Sequence, residues 1–188
     1  MDAIEVLFAF FGALLALAAA RLFSGVAGVL EHRASVRVGW TTPLLTLLLM
    51  FDLAACVTNG WKALGSADMS LRVVLTCMLA GGTYYAAASL VIPRDLAAQP
   101  DLDAWCQTNK RYVVGGMVLG NLLGFEVLQA LISGVNETIT TRWTGFSALM
   151  NLTYYVLLIA LMLVRNRIVD IALLAVLNVL YIVSLVAV

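Results

Sequence analysis

Charge is what this sequence lacks most: Asp, Glu, Lys and Arg make up only 12% of its 188 residues, while 63% are hydrophobic. Mean hydropathy is +0.99. A water-soluble domain carries about a quarter charged and about half apolar residues, so the expected solvent is lipid and a soluble enzyme is excluded. Histidine is nearly missing as well, and the single His32 rules out bis-histidine haem ligation and a His-rich zinc site within one chain. The three cysteines, Cys56, Cys77 and Cys106, lie far apart, without the paired spacing of a metal or redox motif. The 11 Lys plus Arg are balanced by 11 Asp plus Glu, which leaves no basic surplus for a nucleic-acid face. There is no GxxxxGK(S/T) phosphate loop, HExxH helix, GxSxG elbow or Cys-His pair, so neither catalysis nor a metal or cofactor is expected.

What is present is a succession of six apolar runs, at about 4–30, 41–61, 71–92, 112–133, 143–164 and 168–188. Each is about the 20 residues that a helix needs to cross hydrocarbon. Helices are the only open-chain solution there, because each backbone amide must be satisfied within its own segment. The expectation is an all-α integral membrane protein, a six-transmembrane-helix bundle forming a single membrane domain. The start, Met1-Asp2-Ala3-Ile4-Glu5, lacks the positive region of a signal peptide, so the first run reads as a retained helix.

Arg33, Arg37, Arg94, Lys110, Arg111, Arg165 and Arg167 follow spans one, three and five, whereas only Lys62, Arg72 and Arg142 lie on the other face. The positive-inside rule then puts those seven in the cytoplasm and both termini outside. Trp40, Trp61, Trp105 and Trp143 fall at span ends, where an indole anchors at the headgroups. The one long connection, 93–111, divides the spans three and three. If the halves are related, an odd number of spans makes them inverted repeats.

The run Ala20-Arg21-Leu22-Phe23-Ser24-Gly25-Val26-Ala27-Gly28-Val29, the basic loop to Trp40, the span closing on Trp61, Tyr84-Tyr85 before Leu90-Val91-Ile92-Pro93, and Lys110-Arg111-Tyr112 together resemble a family of uncharacterised bacterial multi-spanning membrane proteins. The resemblance covers about the first 120 residues. It implies a bacterial inner membrane and no chemistry.

Ionisable groups deep in a span cost at least about 2.5 kcal/mol to insert, so they face the bundle interior and carry a role. Asp52 lies near the middle of span two and Glu126 in the outer half of span four, with Asn121 and Gln129 nearby. Arg21 is in the inner third of span one, where its long side chain can snorkel to the headgroups. Asp170, just inside span six, reads as a charge at a helix N-terminus. Asn151 and Asn178 are mid-span amides suited to bonding across helices. The tyrosine pairs Tyr84-Tyr85 and Tyr154-Tyr155 read mainly as packing. Ordered by depth, Glu126 with Asn151, Asp52 with Asn178, and Arg21 with Tyr84 or Tyr85 would form a polar ladder across the membrane.

Gly116, Gly120 and Gly124 repeat at every fourth position in span four and mark a close helix contact, inside one bundle or in a homodimer. Two functions fit. The first is a small transporter or channel-like protein using Asp52 and Glu126 in an ion or proton/solute pathway, with Asp52 turned away from lipid. The second is a non-catalytic module that binds another membrane protein or a lipid through the glycine face and the basic loops. Whether the two acids share a water-accessible cavity separates them.

Overall fold

The computed structural model describes residues 3–65 and 70–186. It is all-helical, with no strand among the described residues. We label the helices α1 (Ala3–Glu31), α2 (Thr41–Leu64), α3 (Leu71–Val91), α4 (Leu102–Ser133), α5 (Val135–Arg142), α6 (Gly145–Leu163) and α7 (Arg167–Val186). Five of them, α1 to α4 and α6, are long and apolar enough to cross a membrane. The expected ends at Met1-Asp2 and at 187–188 lie outside the described residues.

The buried residues explain why these helices pack as they do. Along α1 they are Leu7, Phe11, Leu15, Ala18 and Leu22, a row repeating every three or four positions and hence one face of a helix. Phe10, Leu17 and Phe23 on its other faces are exposed and apolar, as a lipid-facing surface requires. On α2 the buried row runs Leu45, Leu48, Leu49, Asp52, Leu53 and Cys56, so the carboxylate lies within the packing stripe itself. Helix α3 packs between α1 and α4, while α2 lies against α1, α4 and α7. Helix α6 joins α4 to α7 and keeps Leu149, Leu152, Val156 and Ile159 exposed.

Helix α4 corrects the expected start of the fourth span at 112: it begins ten residues earlier, at Leu102. Asp101 caps it, its side chain accepting from the backbone N–H of Ala104 at 3.0 Å. The connection 93–111 is thereby shortened, and Lys110, counted as a loop cation, is a buried helical residue. The remaining loop is tied to the one before α2: Arg37 N donates to Pro100 O at 2.7 Å and Leu102 N to Arg37 O at 3.2 Å. Thr42 Oγ1 adds a bond to Leu102 O at 3.1 Å. At the other end Gly134, with φ of 89°, turns the chain out of α4 into the short helix α5, where only a loop was expected.

Candidate functional site

Asp52 is fully buried, and its two carboxylate oxygens collect donors from four other helices. Oδ2 accepts from Tyr84 Oη of α3 at 3.1 Å and from Asn121 Nδ2 of α4 at 2.8 Å. Oδ1 accepts from Tyr154 Oη of α6 at 2.9 Å and from Tyr181 Oη of α7. Asn121 Nδ2 also lies 3.4 Å from Tyr154 Oη. Four donors match the acceptor-only capacity of a carboxylate, so the desolvation of the acid is met by neutral groups alone.

The glycine stripe makes this geometry possible. It runs antiparallel along α3: a Cβ on Gly116 would lie 3.1 Å from Ala87 Cβ, one on Gly120 2.8 Å from the Tyr84 ring, and one on Gly124 3.2 Å from Cys56 Sγ of α2. Tyr84 therefore occupies the space that a side chain at 120 would take, and this brings its hydroxyl to Asp52. Directly after Asn121, residues Leu122–Val127 form a π-helical turn. Such a turn inserts one residue and resets the phase of the helix beyond it, a device common at functional sites. Just before it Asn121 bonds Asp52, and within it Glu126 bonds Arg142 of α5.

Glu126 is not beside Asp52. Its Oε1 accepts from Arg142 Nε at 2.9 Å and its Oε2 from Trp143 Nε1 at 2.8 Å. Arg142 also covers the Phe125 ring at 5.2 Å, and its carbonyl accepts from Asn151 Nδ2 at 2.9 Å. Between this group and the Asp52 cluster lies a cavity of about 250 Å³, lined by Asn59, Asn121, Arg142, Asn151, Tyr154 and Tyr181 among others. Asp52's donors form one wall and Glu126's partner another.

The other expected members of the ladder lie elsewhere. Asn178, matched to Asp52 by depth, instead donates to Leu44 O at 3.0 Å and Leu174 O at 2.8 Å, fastening α7 to α2. Arg21 does not run to the headgroups alone: its Nη2 donates to Ile92 O at 3.1 Å, at the end of α3 and beside a separate groove with His32 and Arg94. Tyr84 sits on Asp52 itself and not a step below it. Depth along separate helices ranks residues but does not say which faces meet, and that is why the ladder resolves into separate contacts.

Asp170 lies in the first turn of α7, as its reading as a helix-end charge expects, and it has a further role. It is fully buried and pairs with Lys110 Nζ of α4, and Gln107 Nε2 donates to the same oxygen at 2.7 Å. Lys110 Nζ reaches Val164 O at 2.6 Å as well. Nearby, Arg167 pairs with buried Asp103, whose carboxylate lies against Gly39.

Among the site's residues, Tyr181 was missed and Asn121 was noted only as a neighbour of Glu126. Both lie at ordinary helix positions, and no local sequence signal distinguishes them. Among the described residues no group of three or more His, Cys, Asp or Glu side chains is placed to hold a metal ion. No protein-family model matches the chain, and neither a curated protein nor a solved structure matches it.

Proposed function

We propose that this chain is a small transporter or channel-like protein of a bacterial inner membrane, which moves an ion or solute without covalent chemistry along a pathway centred on Asp52. The observation that carries this reading is the cavity whose wall is built from Asp52's own donors, Asn121, Tyr154 and Tyr181. A carboxylate meant only to join helices needs no cavity beside it. Arg142 at the end of α5 and Asn151 in α6, both half-buried, line the side from which a solute enters.

Helix α7, at 20 residues, is long enough to be the sixth span, giving three spans on each side of the 92–101 connection. With Lys110 set aside as a buried residue, six of the seven basic residues still mark the cytoplasmic face, so both termini lie outside and the cavity opens outward. A C-terminal reporter active only in the cytoplasm should be silent; an active one would reverse the orientation.

The partner-binding alternative drew on the glycine stripe. Ala87, Tyr84 and Cys56 of the same chain fill that stripe, so a homodimer through it is not part of the proposal. The test is flux or counterflow in liposomes over a panel of ions and small metabolites. Asp52→Asn keeps the shape of the side chain and removes its charge, and uptake should fall at least about tenfold, equivalent to about 1.4 kcal/mol. Uptake by the variant equal to that of the natural protein would defeat the pathway and leave Asp52 as a helix fastener.

A further inference from the structure

The charges near the cavity do not cancel. Arg142, which lines it, is matched by Glu126. Away from it Asp103 is matched by Arg167 and Asp170 by Lys110. Asp52 alone among these acids has only neutral partners, three tyrosine hydroxyls and one amide. A charge without a counter-ion in a low-dielectric interior acts over several ångströms, so the cavity behind those hydroxyls attracts a cation and repels an anion.

The walls suit one kind of cation. Tyr154 and Tyr181 meet at 86° with centroids 5.5 Å apart, and Tyr155 stands against Tyr154 at 65° and 5.9 Å. The rings pack edge to face into an aromatic corner, with Phe51 stacked on one face of Tyr181 and Trp143 on one face of Tyr155, and aromatic walls of this kind attract alkylated ammonium groups. The amides add acceptors. Asn59 Nδ2 is spent on Ala55 O at 2.8 Å and Asn151 Nδ2 on Arg142 O at 2.9 Å, while their Oδ1 atoms receive no donor among the described residues. At about 250 Å³ the space is smaller than a drug-sized pocket and fits a compact headgroup.

We propose that the cavity binds a small organic cation, an alkylated ammonium group held against the tyrosine rings that line it, with Asp52 behind their hydroxyls as its countercharge. The physiological use of this site rests on the transport reading above; binding itself does not.

The test is calorimetric titration of the full chain in nanodiscs with tetramethylammonium, its neutral analogue neopentyl alcohol, and the anion pivalate. The expected result is saturable binding of the cation, at least about tenfold tighter than the alcohol, and none of pivalate. Asp52→Asn should weaken cation binding at least about tenfold and leave the alcohol unchanged. Tyr155→Leu, which touches no Asp52 oxygen, should weaken it roughly threefold to thirtyfold and keeps the test decisive if the Asp52 variant does not fold. Equal affinity for alcohol and cation, no binding of the cation, or equally tight competition by potassium would overturn the proposal. Cation binding without uptake in liposomes would instead remove the transport reading and leave the binding site standing. Uptake of other solutes without cation binding would do the reverse.

Discussion

Among the described residues two aspartates, Asp52 and Asp170, are fully buried, and they are solved in opposite ways. Asp170 has a cation, Lys110, and an amide, Gln107, within a contact that joins α4 to α7. Asp52 has four neutral donors on four helices and a cavity behind them. An ion pair cancels its own field, so its reach ends at the helices it joins. A carboxylate held by neutral dipoles keeps its field, and a solute can feel it. The first arrangement fastens; the second leaves a field that a ligand in the cavity would meet.

The sharpest way to break this contrast is Lys110→Met, which leaves Asp170 buried without its cation. Loss of one partner of a buried pair costs about 3–5 kcal/mol, so thermal unfolding in detergent should show the largest loss among single variants. Adding Asp170→Leu should restore most of it, because two apolar residues need no partner. A Lys110→Met protein as stable as the natural one would mean that the pair is not what secures α7.

Gly120→Leu should come next, at about 1–3 kcal/mol, since its side chain meets the Tyr84 ring and drives that hydroxyl from Asp52. By contrast Gly82→Leu, with open space at its Cβ, should change stability little. Equal effects at the two positions would separate Tyr84's placement from the glycine stripe. Among the buried positions the smallest effect belongs to Asp52→Asn, about 1 kcal/mol, the net worth of an ordinary hydrogen bond. A loss as large as that of Lys110→Met would place Asp52 with the fasteners.

Much of this contrast was hidden in the sequence, for identifiable reasons. The depth of Asp52 was readable because an acid in the middle of an apolar run is conspicuous whatever the fold. The glycines were readable as a contact face, but not as the recess for Tyr84, since that needs the pairing of α4 with α3. Tyr181 gave no signal, because a tyrosine near the end of an apolar run is ordinary in a membrane helix. Asp170 was readable as a helix-end charge but not as half of an ion pair, because Lys110 was assigned to a loop: Trp105, Asn109 and Lys110 look like a polar connection until Asp101 is recognised as the cap of a helix. Trp105 Nε1 bonds Leu90 O at 2.8 Å, fixing that polar turn of α4 against the end of α3. Span lengths follow from local composition, whereas the site depends on which faces of five separate helices converge.

That convergence also sets an order of events in time. A chain is made from its N-terminus, and its helices enter the membrane before they associate. Asp52 is laid down in the second helix, but its first donor, Tyr84, comes 32 residues later and its last, Tyr181, 129 residues later. Throughout synthesis the carboxylate is therefore an unfinished joint, and every intermediate bundle is short of at least one hydroxyl. Only docking of α7 completes the set, so the residue whose donors line the cavity is fully satisfied only in the fully assembled bundle.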